Sequence, residues 1–486
     1  MIYHCHLSLF RISCPSLVNG VKSEIYWGVF LPVIVACLIQ AGLVGVLSGA
    51  DVNGSNSISA TVVQERKNSW EQRLKKPVDW LSWGVDFRWR NEFYSNKKLE
   101  RFAPGHEEYF QRYRTRLWFD LEPAERLTLR ARWVWEPRHY FKPDGRKPLE
   151  RNEAIFDEFN IKWRAPGETP VTLTVGRQSL HLGEWLIFEG TPLDGSRTVY
   201  FDAARLKIDW ASRHTTLDLV YIDQGAQSGR WLPVVNSQHF LMAEDNSRAA
   251  VVYLVNKSLP GTQFDAYYMF KHDEPALPSG NHAQIHIFGG RAQYQPGRHW
   301  NLSGELTPEF GWKNGRTLEA QSFSSQISYL MRDSLNNKFR VTYEYLSGDD
   351  PNTPVDEGFD PVWSRGTPRL SEVLSPIFAT EARGRLTEWS NFQRLGAGWS
   401  FYPASRWEFL IDYSALFANT NPMRGKAGFS GDGSFRGHLV IGRLNFGLTH
   451  KLSGHILGEL FFPGNYYAVP KGGLATFIRT ELMIQL

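Results

Sequence analysis

Along residues 109–136 apolar and polar positions alternate strictly, and the same alternation recurs through most of the chain. Tyr113, Thr115, Leu117, Phe119 and Leu121 interleave with Arg112, Arg114, Arg116, Trp118 and Asp120. A period of two sets one row on each face of a strand. After the break Glu122-Pro123-Ala124-Glu125, the row Leu127, Leu129, Ala131, Trp133, Trp135 returns opposite Arg130, Arg132 and Glu136. No helical pattern nearby supplies a second apolar layer, so the simplest cover is lipid. A strand apolar outside and charged inside, joined by a tight turn to another of its kind, predicts a hairpin of a transmembrane β-barrel.

The pattern predicts about eighteen such strands, over 81–93, 109–121, 126–136, 154–164, 171–180, 198–209, 214–223, 247–257, 262–272, 282–295, 299–310, 319–331, 337–347, 388–402, 406–417, 437–450, 454–462 and 475–486. Each is near the roughly ten residues that a tilted strand needs to cross a bilayer. The gaps between them alternate short and long. The short ones, such as Pro403-Ala404-Ser405, are rich in turn residues, which predicts short periplasmic turns and long extracellular loops. The fold class is therefore all-β, an antiparallel transmembrane barrel over 81–486. The loop 348–387, about forty residues long, is far above the usual length and is expected either to fold into the pore as a gate or to lie outside as a binding surface.

Composition agrees with this. The chain holds 31 Phe, 19 Tyr and 18 Trp at a mean hydropathy of only -0.36, which suits girdled strands and not a bundle of membrane helices. One long apolar run, Ile25 to Leu47, follows Arg11 and Lys22 and precedes Ser48-Gly49-Ala50, so residues 1–50 read as a secretory signal peptide. Ile34-Val35-Ala36-Cys37 resembles a lipobox, but the apolar run continues past it. Cys5, Cys14 and Cys37 all fall within this leader, leaving the rest without thiols. Residues 51–80 are polar without alternation and read as a periplasmic lead-in. The formal charge of +4 hardly changes when Arg11, Lys22 and Glu24 are removed, so the placement of charge matters more than its sum.

Placement favours the inner face. Parity puts Arg88, Arg90, Arg112, Arg114, Arg116, Arg130, Arg132, Lys162, Arg205, Lys207, Lys338, Arg340, Arg394, Arg443 and Arg479 inside, together with acids such as Asp86, Asp120, Glu136, Glu158 and Glu481. The first three strands carry seven inward arginines against four inward carboxylates, counting Asp86, Glu92, Asp120 and Glu136. Surplus guanidinium groups offer planar forks to carboxylates or phosphates, which points to an anionic solute; pairing across strands that merely stiffens the wall is the plainer alternative. Gly348-Asp349-Asp350-Pro351-Asn352 and Ser430-Gly431-Asp432-Gly433-Ser434 read as turns before calcium loops, and His282 with His286 lacks a third ligand. No phosphate loop or nucleophile elbow occurs, and no catalytic role, metal, other cofactor or nucleic-acid partner is expected.

Val175-Gly176-Arg177-Gln178, Tyr345-Leu346-Ser347-Gly348-Asp349, Ser390-Asn391-Phe392-Gln393 and Leu460-Phe461-Phe462-Pro463-Gly464-Asn465 give the chain a further likeness. In their order and their positions on the inferred barrel, it resembles the alginate export porin family of bacterial outer membranes. The resemblance implies a monomeric eighteen-stranded barrel with an arginine-lined constriction that passes an acidic exopolysaccharide outward without covalent chemistry. It also implies a place near the conduit for Arg177, within the Gly-Arg-Gln element. Outer-membrane lipids and periplasmic export components are the expected partners besides the polymer. A porin for small anions, or an outer-membrane enzyme or surface receptor, are the alternatives.

Overall fold

The architecture is given by a computed structural model, which describes residues 70–99, 105–144, 149–166, 170–184, 186–188, 200–236, 238–239, 241, 243–363, 371–379, 381, 389–468 and 473–486. The expected signal peptide and most of the lead-in lie outside the described residues. What is described of the lead-in begins with a six-residue helix, α1 (Trp70–Lys75).

Eighteen long strands follow. They are β1 (Leu81–Ser95), β2 (Glu108–Ala124), β3 (Leu127–Trp135), β4 (Ala154–Arg164), β5 (Val171–Gln178), β6 (Phe201–Trp210), β7 (Thr215–Gln224), β8 (Asp245–Asn256) and β9 (Thr262–Pro275). The second half comprises β10 (Ala283–Tyr294), β11 (Trp300–Lys313), β12 (Arg316–Leu330), β13 (Lys338–Leu346), β14 (Phe392–Ala404), β15 (Trp407–Phe417), β16 (Phe435–Gly447), β17 (Leu452–Pro463) and β18 (Ala475–Gln485). Each pairs antiparallel with the next, and β1 pairs with β18 from Asp86↔Gln485 to Ser95↔Thr476, so the sheet closes. Closure leaves no strand edge with unpaired N–H and C=O groups, the condition for placing a sheet in hydrocarbon.

The two rows of each strand separate as their chemistry demands. Outward Phe87, Phe119, Phe159, Trp163, Val341 and Ile478 are exposed, whereas inward Asp86, Arg88 and Glu92 are buried. Close packing of the inner row depends on small residues in places: Gly84 sits opposite Trp118, and a Cβ there would lie 2.3 Å from the indole.

At one end the connections are short, for example 125–126, 211–214 and 405–406; at the other they are long, including 179–200, 225–244 and 347–391. One exception stands at the long-loop end. Asn314-Gly315 joins β11 to β12 with φ of 52° and 88°, a two-residue hairpin turn of the kind that suits the right-handed twist of its strands. The strands there reach well past the stretch that periodicity marks.

The 347–391 loop turns inward. Asp360 meets Lys271 of β9 at 3.3 Å and Lys313 of β11 at 3.1 Å, and its N–H donates to Glu309 at 2.8 Å. The Trp363 N–H donates to the Leu186 carbonyl, and its ring meets Phe201 of β6. Farther along the loop, Glu372 reaches Arg479 of β18 at 2.6 Å, and Ser371 and Val373 donate to Glu459 of β17. Glu381 takes a bidentate fork from Arg436 of β16 at 2.7 and 2.9 Å. Strands β6, β9 and β11 do not adjoin β16 to β18. The described residues of this loop grip both sets through their inward side chains and so lie on the inner side of the wall. Its helix α2 (Leu374–Ala379) is wholly buried, with Phe378 against Trp389 and Phe392. Of the two expected dispositions of this loop, the inward one holds.

Candidate conduit wall

Inward arginines oppose one another directly across the first hairpin, Arg88 with Arg114 and Arg90 with Arg112. Like charges at such positions destabilise a sheet unless anions are interleaved. The fold interleaves them. Arg88 reaches Glu136 at 2.6 Å, Arg90 reaches Glu481 at 2.5 Å, and Arg112 lies 2.7 Å from Glu92 and 3.6 Å from Glu136. Arg116 meets Asp86 at 2.7 Å, and Arg114 stands 3.7 Å from the same carboxylate.

The surplus counted within β1–β3 is met from neighbouring strands. Arg130 is held between Asp120, at 2.9 Å, and Glu158 of β4. Arg132 takes Asp157 at 2.8 Å and Glu158 at 3.2 Å, because a register shift beside it brings two successive acids to one guanidinium. Glu481 comes from β18, across the closing seam. Elsewhere Arg205 pairs with Asp218 at 2.6 Å, Arg340 with Asp412 at 3.0 Å, and Arg394 with Glu344. Arg443 donates to Asn445 at 2.7 Å, and Arg479 bridges Glu92 of β1, at 2.5 Å, and Glu372 of the inward loop. Lys207 makes no ion pair among the described residues. The wall is therefore a lattice of alternating charge in which nearly every guanidinium already touches a carboxylate.

Arg177 has a different setting. It follows Val175 in the outward row of β5 and is in register with exposed Phe159. Gly176 before it has φ of 119°, and a Cβ there would lie 2.4 Å from the Phe159 carbonyl, so the turn into this position needs glycine. The guanidinium is buried against Asp202 at 2.8 Å, donates to the carbonyls of Phe156 and Ser228 at 3.0 Å, and lies 3.8 Å from the Tyr200 ring centre. It ties the 225–244 loop to the rim of β4–β6 and does not line the inner wall.

Inner-wall residues that parity did not single out include Lys271, Arg291, Lys313, Arg436 and Asp157. For Lys271 the signal was present, since it alternates with Asp265, Tyr267, Met269 and Asp273 along β9. Arg436 gains its role from Glu381, whose loop carries no periodicity. Among the described residues no group of His, Cys, Asp or Glu has a metal-binding arrangement. His286 instead hydrogen-bonds Tyr268 at 2.9 Å, His282 packs on Trp312, and Asp349 is taken up by Arg316 at 2.7 Å.

The family model described as alginate export matches residues 79–472. The chain belongs to the alginate export family. Solved structures share the fold at low identity. Pseudomonas aeruginosa OpdQ superposes with a TM-score of 0.55 at 12% identity, covering 83% of this chain and 98% of that one. For Pseudomonas aeruginosa OpdK with vanillate the values are 0.54, 10%, 83% and 98%, and for Pseudomonas aeruginosa OccK11 (OpdR) they are 0.51, 14%, 83% and 96%. A comparison with curated proteins found no match. Like these structures, this alginate export family member is a closed β-barrel, and its family is one of the bacterial outer membrane.

Proposed function

We propose that this barrel passively conducts an anionic polysaccharide, of which alginate or a similar uronate polymer is the type, and performs no covalent chemistry. The carrying observation is the inward lattice in which guanidinium and carboxylate groups alternate. A polymer carboxylate entering it exchanges water for an arginine contact, and the resident acid beside that arginine keeps the contact weak enough to break. Conduction requires both properties. The protein works as a monomer within outer-membrane lipid, and export components of the periplasm deliver the polymer.

A second reading, a porin for small organic anions, draws on the inward loop, which narrows the interior, and on the likeness to OpdK, whose structure holds vanillate. Single-channel recording in planar bilayers separates the two. Anion selectivity with transient block by short oligouronates is expected for the polymer conduit. A pore that passes small carboxylates and ignores oligouronates overturns it.

A further inference from the structure

Cations are not answered by anions everywhere on the inner wall. Beside the 165–170 turn, the strand registers build two rungs. Lys162 of β4 is opposite Thr174 of β5, which is opposite Arg205 of β6; one step nearer the turn, Arg164, Thr172 and Lys207 repeat the order. Each rung reads cation, hydroxyl, cation. With strands about 4.8 Å apart and residues about 3.4 Å along a strand, the cations of a rung stand about 10 Å apart and the rungs about 7 Å apart. Arg205 has Asp218 at 2.6 Å. Lys162, Arg164 and Lys207 make no ion pair among the described residues, and Asp209, exposed at the end of β6, pairs with none of them. The charges of Arg164, Arg205 and Lys207 bear on Lys162, joined by the opposite charge of Asp120, which Arg130 already holds at 2.9 Å.

On β1–β3 equally dense arginines recruited acids from every adjacent strand. Here the positions between the cations are threonines, and the one acid in register with them, Asp218 opposite Lys207, is taken by Arg205, so that among the described residues three cations share no ion pair beside the short turn. Resting on the conduit reading above, we propose that these two rungs are a capture site for an acidic sugar polymer at the short-turn mouth. The cations take successive carboxylates, and Thr172 and Thr174 between them exchange hydrogen bonds with sugar hydroxyls. The polymer is gathered where its charge is uncompensated and then passed to the paired lattice, where contacts are weaker. A positive patch at a mouth raises the encounter rate of an anion and does so more at low salt.

The test is sided. Full-length protein and its Lys162→Gln/Arg164→Gln variant, each checked for heat-modifiable barrel mobility, are inserted in planar bilayers with orientation read by protease cleavage of the long loops. Oligouronate, or a neutral oligosaccharide of equal length, is then added to one side at a time. The blocking rate from the short-turn side is expected to fall about tenfold in the variant, within the usual range of electrostatic steering, while the rate from the long-loop side changes much less. An equal fall from both sides, or no fall, overturns the capture site and leaves the conduit standing. Wild-type protein that oligouronate blocks from neither side removes the conduit reading and this site with it.

Discussion

Arg479 shows what one inner-wall residue does. Its guanidinium joins β18 to Glu92 of β1 across the seam and to Glu372 of the inward loop, so it serves the wall and the loop at once. Removing one partner from a buried charge cluster leaves the others desolvated and unanswered, at a cost on the order of 3–5 kcal/mol. Arg479→Ala is therefore expected to lower the urea midpoint of unfolding clearly, and Arg479→Lys to recover only part because it lacks the planar fork. A midpoint shared by Arg479→Ala and wild type would show that the seam does not depend on this residue. Partners such as Glu481 for Arg90 or Asp157 for Arg132 were not legible from alternation. Parity tells which face a side chain takes but not the register: Glu481 reaches Arg90 across the seam from 391 residues away, and Asp157, only 25 residues from Arg132, is brought to it by a register shift.

At the scale of elements, alternation marks strands well wherever lipid enforces it. β4 spans the residues that periodicity assigns, because each outward position from Phe159 to Trp163 must be apolar. Beyond the hydrocarbon the hydrogen-bonded ladder continues without that constraint. For this reason β11 and β12 run on to Lys313 and from Arg316, in a stretch that reads as a gap. The Asn-Gly pair at 314–315 was the available signal for their turn.

The 347–391 loop offers a test of its own. Burial pushes the Glu372 carboxyl up to about 7, with Arg479 opposing the shift and Glu92 and Glu459 adding to it. The docked loop thus holds this proton more tightly than an undocked one. Docking through Glu372 is at full strength below the ordinary carboxylate value of 4.5 and weakens as pH rises through about 7. Channel openings are expected to become more frequent as pH rises from 4.5 to about 7 and to level off above it, and Glu372→Gln, fixed in the neutral state, to lose that dependence. If the substituted channel keeps the wild-type pH profile, some other group controls the loop.

For the whole molecule, every strand depends on two neighbours, and the barrel has no partial form that satisfies its backbone in hydrocarbon. Deleting residues 475–486 removes β18 and exposes the edges of β1 and β17. The shortened chain is expected to lose heat-modifiable mobility entirely and to aggregate. A truncated chain that still migrates as a folded barrel would mean that β1 and β17 can pair directly.

The pairing of β1 with β18 also imposes an order in time. Arg90 and Glu481 are 391 residues apart in sequence yet in hydrogen-bond contact. The first strand made is among the last to find its second neighbour, and it waits with one polar edge open while the rest of the chain emerges. Contacts of such long separation make folding slow and expose the waiting edge to aggregation. The interval before closure is accordingly when this protein is most easily lost.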